Sequence, residues 1–309
     1  MATRSPAGIA LAASMSVCLA AGAAAPVPTI TIVEGQSTII SGTRGFVPAK
    51  GVPLRQCDIV RVGPQALVQA EFDDGGQIVV GHDSRMLFEL PGSDEPAVSP
   101  MFLMSGWAKV AVPRRERMPP YRIVTPLFDL SMDAGAVVLH AEADGVAFFV
   151  ETGDAVAQVP GGGARAGTTV TAGHTYVHKA GQPAGTVAKG IDKGFLSAMP
   201  RSMRDSLPSL LARLKARDVS PQPAPGYDPK EAEQWFRTVA QLRPCIADNT
   251  IRSGQEALER QGFDVGAVDG ILGPRTRAAL QAFQQKHGLT ATGRFDPETL
   301  DALNVAGRR

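Results

Sequence analysis

Near the C-terminal end of the chain, Asp269, Arg275, Thr276, Arg277, Gln281 and Gln284 place a carboxylate, two guanidiniums, a hydroxyl and two amides close together in sequence. Such groups hold amides, hydroxyls and carboxylates by hydrogen bonds, and arginine adds charge and a planar fork. Some of these residue types also suit plain structural work. Asp269, Gly270 and Gly273 are what a tight turn selects, and Thr276 and Thr299 suit the capping of their own helices.

Other reactive residues do not assemble into a known catalytic pattern. The sequence contains no His-Glu-x-x-His helix, no Gly-x-Ser-x-Gly elbow and no Ser-His-Gly-Cys segment. His174 and His178 lie four apart in a strand-like run, whereas that spacing makes a metal pair on a helix. Asp73 and Asp74 fall in a turn, and a glycosidase pair is defined by distance in space, which sequence does not give. The expectation is therefore a protein without catalytic residues, metal or cofactor. The competing expectation is a cell-wall hydrolase, or a regulator of one, with a catalytic domain of unfamiliar sequence.

Arg4 is the only charged residue before an alanine-rich apolar run that passes through Cys18 and ends at Ala23, Ala24 and Ala25. This is a secretory signal layout, with residues 1–25 expected to be removed rather than kept as an anchor. The sequence lacks another apolar run of spanning length, so the mature chain is expected to have no transmembrane segment and to reside in the periplasm or cell envelope. Setting Arg4 aside leaves 30 of the 31 basic residues against 30 acidic ones, a balance that does not suit nucleic acid. Cys57 and Cys245 then remain, and an oxidising compartment lets them pair as a disulfide if the fold brings them together.

The elements that must position these groups divide the chain. Residues 29–180 show short β-branched and aliphatic runs at close spacing, broken by glycine, proline and Asp-Gly pairs, and predict an all-β domain. This part resembles the FecR-like domain. The resemblance rests on Leu54 with Cys57-Asp58-Ile59-Val60, then Phe72-Asp73-Asp74-Gly75-Gly76, Ser84-Arg85, Gly106, Val124-Thr125-Pro126 and Gly153-Asp154 in that order. It implies a β-rich periplasmic module presented to a protein partner or signal. Two departures stand out: Cys57 occupies a position usually held by glycine, and Asp133-Ala134-Gly135-Ala136 replaces a Gly-Thr pair. The family's best-known sigma-factor regulation works through a cytoplasmic segment and membrane anchor, and is not carried over.

Beyond it, Leu207, Leu210, Leu211 and Leu214 suggest an amphipathic helix over residues 195–218, with Arg201, Arg204 and Arg213 facing away. Residues 219–227, rich in proline, predict a stiff extended linker. Asp228-Pro229 then predicts a helix start, with a linker helix over 228–243 carrying Trp235 and Phe236 and stopping before Pro244.

The last stretch contains an internal repeat. Gly266-Ala267-Val268-Asp269 is echoed by Gly293-Arg294-Phe295-Asp296, and each copy leads into a helix with proline in its first turn and Thr, Ala and Leu at matching offsets. Three short helices are expected, one of them packing through Thr276, Ala279, Leu280 and Phe283. The pattern over 250–304, including Gln255, Leu258, Gly262, Gly273, Thr276, Phe283-Gln284, Gly288-Leu289, Asp296 and Thr299, is very similar to the type 1 peptidoglycan-binding domain. That resemblance implies peptidoglycan as partner and no catalysis by the domain itself.

Overall fold

The computed structural model describes residues 28–303, apart from 43, 89–97, 115, 117–118, 161–166, 215–218, 220, 229, 231–233, 236–242, 269 and 271. The expected signal segment therefore lies outside the described residues, as do Asp269 and most of the expected linker helix.

The β-region is a sandwich of two sheets that share two long strands, β8 (Val98–Val112) and β12 (Gly145–Gln158). The first sheet runs β1 (Thr29–Glu34), β5 (Leu67–Glu71), β6 (Gln77–Val80), β8, β11 (Gly135–Ala141), β12, β14 (His174–Lys179) and β15 (Thr186–Lys189), all antiparallel. The second begins with β2 (Ser37–Ser41) between β3 (Arg44–Val47) and β4 (Ile59–Val62), and continues through β7 (Ser84–Leu87) to β8. It then passes in parallel register to β9 (Tyr121–Val124), and on through β10 (Asp129–Met132) and β12 to β13 (Thr168–Thr171).

Strand alternation explains the layers. Val68, Ile78, Val110, Val137 and Phe148 of one sheet meet Ile39, Val60, Met86, Ile123 and Leu130 of the other in the main core. The shared strands change sheets at glycines with left-handed backbone, Gly106 (φ 84°) and Gly153 (φ 75°). A Cβ on Gly106 would stand 2.3 Å from the Ser84 hydroxyl, so space as well as conformation demands glycine there.

The long helix expected over 195–218 is not present. The chain instead makes α1 (Lys193–Ala198), α2 (Arg201–Arg204) and a 3-10 turn at Leu211–Arg213. Pro200 and Pro208 are the cause, because each disfavours helical backbone in the residue before it, and Met199 is extended. The pieces lie across the outer face of the first sheet, where Phe195, Met199 and Met203 cover Leu67, Val79, Trp107 and Val138.

Polar side chains from the sheet fasten this segment. Lys109 Nζ donates to the carbonyls of Met203 (3.1 Å) and Asp205 (3.3 Å), and Gln69 Nε2 donates to that of Pro208 (3.0 Å). The Glu71 carboxylate accepts the Leu210 N–H at 2.9 Å and the Ser209 hydroxyl. Burial works against the Glu71 anion, but these bonds with those from Thr31 and Gln69 hold its pKa below the ordinary glutamate range. A carboxylate depressed on folding stabilises fully above its unfolded value, near 4.5, and loses that contribution as pH falls through the lower folded value. Protection of the Leu210 and Leu211 amides, corrected for intrinsic exchange, should therefore drop on acidification across this range. Glu71→Gln should remove that pH dependence, and an unchanged profile would show that the anion does not hold the segment.

The described residues of 219–227 include a short extended piece and a turn at Gly226, and they do not form a free linker. Gln222 and Pro223 form β16 (Gln222–Pro223), paired with Val47 and Phe46 of β3, and the Ala224 N–H donates to the Gly45 carbonyl at 2.8 Å. Tyr227 packs so closely over Gly45 that a Cβ there would lie 2.3 Å from its ring.

The C-terminal region is helical: α3 (Arg243–Arg260), α4 (Pro274–Lys286) and α5 (Pro297–Ala302). The first of these begins earlier than sequence periodicity suggests, with Pro244 in its opening turn, where a proline is tolerated. Ala257, Leu258, Val265, Ala279, Leu280, Phe283 and Leu303 form its core.

Candidate functional site

Two buried glutamines organise the helical region. Gln255 on α3 is fully enclosed; its Oε1 accepts the Gly270 N–H (2.8 Å), while Nε2 donates to Thr276 Oγ1 (3.0 Å) and the Ala267 carbonyl (3.2 Å). Gln284 on α4 is enclosed as well. Its Oε1 accepts the Gly293 N–H (2.9 Å), and Nε2 donates to Thr299 Oγ1 (2.8 Å), Thr292 Oγ1 (2.9 Å) and the Arg294 carbonyl (3.1 Å). Each glutamine thus ties an irregular loop to the first turn of the helix that follows, which is the structural content of the sequence repeat.

The helix ends repeat too. Gly262 and Gly288 both take left-handed backbone, and in each case the next residue's N–H reaches five residues back: Phe263 to Leu258 (3.0 Å) and Leu289 to Gln284 (2.8 Å). At the start of α5 the Asp296 carboxylate accepts the Thr299 N–H at 2.9 Å. Burial disfavours the Asp296 anion, but bonds from Thr299 and Thr292 prevail and lower its pKa.

This arrangement corrects part of the expected ligand set. Thr276 and Gln284 are buried inside the helical core, with no surface to offer a ligand. The reason is helical spacing: Thr276, Ala279, Leu280, Phe283 and Gln284 all fall on the inward face of α4. Arg275, Arg277 and Gln281 are exposed. Arg277 and Gln281 stand one turn apart on the same side, beside the turn at Gly293, where a Cβ would touch Gln281 Cγ at 3.3 Å. Arg275 projects elsewhere, its Cδ lying 3.0 Å from the place of a Cβ on Gly266.

The structure brings Cys57 and Cys245 together as a disulfide, their Cα atoms 5.6 Å apart, joining the β-sandwich to the first turn of α3. Cys57 has φ 64°, so the position where glycine is usual in the FecR-like pattern is one of left-handed backbone, held here by a cysteine. Beside the bridge, Arg252 of α3 is buried. It donates to Ser41 Oγ (2.9 Å) and the Gln56 carbonyl (3.3 Å), and lies 3.9 Å from the Asp58 carboxylate, whose pKa is raised by burial. Arg44 pairs with Glu256 nearby. Sequence reading passed over Arg252, since one arginine in an amphipathic helix carries no sign of a partner about two hundred residues away.

His174 bonds locally to Thr171 at 3.1 Å, and the buried His178 ring reaches the Gln182 carbonyl at 2.9 Å. Neither shares a cluster of three or more His, Cys, Asp or Glu among the described residues. No described helix is long and apolar enough to cross a membrane.

The closed Gln–Gly–Thr loops, capped helices and small core belong to a known module. Residues 247–303 match the family model for a "Putative peptidoglycan binding domain". That segment covers α3 from its second turn, α4 and α5. Similar curated proteins include the localization factor PodJL of Caulobacter vibrioides, 30% identical over 94 residues, which are 30% of this chain and 10% of that protein. The N-acetylmuramoyl-L-alanine amidase CwlM of Mycobacterium tuberculosis is 38% identical over 66 residues, 21% of this chain and 16% of its own. The chain thus spans only a small fraction of the relatives it matches. Among solved structures, a "putative anti-sigma factor" from Parabacteroides distasonis aligns with a TM-score of 0.37 at 16% identity, over 43% of this chain and 59% of its own.

Proposed function

We propose that this is an exported cell-envelope protein that binds peptidoglycan through residues 247–303 and presents its β-sandwich, FecR-like by sequence motif, to an envelope protein or a signal. Its activity is binding and not catalysis. The observation that carries the reading is the family match over 247–303. Two further observations support it. The buried disulfide suits an oxidising compartment, and the exposed Arg275, Arg277 and Gln281 suit the amides, hydroxyls and carboxylates of wall peptides and glycans. PodJL and CwlM are named for quite different roles, which suits a shared segment that attaches rather than acts.

An exposed patch without a buried anchor binds weakly per site, and a polymeric wall offsets this by multivalency. The full chain should sediment with purified sacculi. Arg277→Ala should reduce the bound fraction severalfold while leaving unfolding stability within about 0.5 kcal/mol, as expected for an exposed side chain. A zymogram on the same sacculi should show no clearing. A chain that stays in the supernatant across a range of salt would refute wall binding, and a clearing band would make the protein a hydrolase.

A further inference from the structure

The internal repeat gives the helical region two like flanks. Gln255 of α3 and Gln284 of α4 each tie a glycine turn, at Gly270 and Gly293, to the threonine in the first turn of the next helix, Thr276 and Thr299. The residue three places before each glutamine is its neighbour on the helix surface, Arg252 on α3 and Gln281 on α4. The residue that follows each glutamine corresponds as well, Glu256 on α3 and Gln285 on α4.

One of these flanks is occupied by the β-sandwich. Arg252 is buried there, donating to the Ser41 hydroxyl (2.9 Å) and the Gln56 carbonyl (3.3 Å) and lying 3.9 Å from the Asp58 carboxylate, while Glu256 pairs with Arg44. The groups it meets are those of a short stretch of polypeptide: a main-chain carbonyl and, two residues on, a carboxylate. The corresponding flank of α4 is open. Gln281 and, one turn earlier, Arg277 are both exposed beside the Gly293 turn, and no hydrogen bond or ion pair among the described residues engages either side chain.

We propose that the open flank of α4 binds the peptide stems of peptidoglycan and not its glycan strands, with Arg277 on a stem carboxylate and Gln281 on a stem amide. The site presupposes wall binding by residues 247–303 and names the part of the polymer that is held. The occupied flank of α3 supplies the chemistry, since the sandwich presents to it what a stem peptide would present to α4. Gln281 carries a donor and an acceptor, as a peptide unit does, and Arg277 supplies the charge that a carboxylate requires. Side chains one turn apart on a helix are rooted about 6 Å from each other, a span that a short peptide covers. A pyranose ring, by contrast, packs its apolar face on an exposed aromatic ring. The helical region offers none, because its three phenylalanines, Phe263, Phe283 and Phe295, pack in or against its core.

The test titrates the isotopically labelled full chain with a synthetic stem tetrapeptide, L-alanyl-γ-D-glutamyl-L-lysyl-D-alanine, with the same peptide amidated at its carboxylates, and with chitotetraose, following amide resonances. The tetrapeptide should bind saturably and shift the Gln281 side-chain amide, whereas chitotetraose should leave it in place. Arg277→Gln should weaken the tetrapeptide at least fivefold, Gln281→Ala at least threefold, and Arg277→Lys should fall between parent and Arg277→Gln. Arg260→Gln, which removes an exposed charge at the far end of α3, should change nothing. Amidation should cost the parent as much as Arg277→Gln does and cost that variant little more, which ties the carboxylate to this one side chain. Far-UV circular dichroism checks that each variant is folded. Absence of saturable tetrapeptide binding, unchanged affinity in folded Arg277→Gln, or chitotetraose bound at the same residues as tightly as the tetrapeptide overturns the proposal. Sedimentation with sacculi reports on wall binding separately: a chain that sediments yet ignores the tetrapeptide keeps the wall and loses the stem.

Discussion

Gln284→Ala is expected to destabilise the helical region by about 3 to 5 kcal/mol. The side chain is wholly buried and serves one backbone N–H, two hydroxyls and one carbonyl around the last loop. Removing it leaves the buried Gly293 N–H without its partner, at about 1–3 kcal/mol, and adds the cost of the cavity left by an enclosed side chain, about 2 kcal/mol or more. Urea denaturation followed at 222 nm measures the loss, and Gln281→Ala, exposed three residues earlier, should stay within about 0.5 kcal/mol. Any fall in sacculus binding by Gln284→Ala would then follow from unfolding. A Gln284→Ala protein as stable as its parent would mean that the hydrogen-bonded hub contributes nothing.

The second large effect concerns the bridge between the two regions. Cys57 and Cys245 are 188 residues apart in sequence, and closing a loop of that size is worth roughly 5 kcal/mol in the chain-entropy account. The paired Cys57→Ser, Cys245→Ser variant should therefore unfold at markedly lower denaturant. The loss should exceed that from either half of the Arg252 contact, since only the disulfide acts on the unfolded chain as a whole. Denaturation of the native protein with and without reductant provides the same comparison, and coincident midpoints would exclude a stabilising role.

These two cases show where sequence is informative and where it is silent. The mostly-β first part and the small helical end were legible because strand alternation, turn residues and helix periodicity are local signals. Local signals conflict over residues 195–218, where Pro200 and Pro208 override the helical spacing of the leucines. Gln284 was misplaced for a related reason. Its position, eight residues after Thr276, already put it on the buried face, but a polar residue there becomes intelligible only once the loop around Gly293 folds back onto it. Arg252 against Ser41, and Arg85 against Trp235, join segments far apart in sequence, and no periodicity records such pairings.

The docked segment at Gln222–Pro223 has a further consequence. A sheet that ends in an open strand can recruit a matching strand from another molecule. Here β3 is met by a stretch of its own chain that carries proline and so has few N–H groups to pass the pairing outward. The tether between the two regions therefore also acts as a stopper against self-association, and changes to its length or proline content bear on solubility as much as on reach.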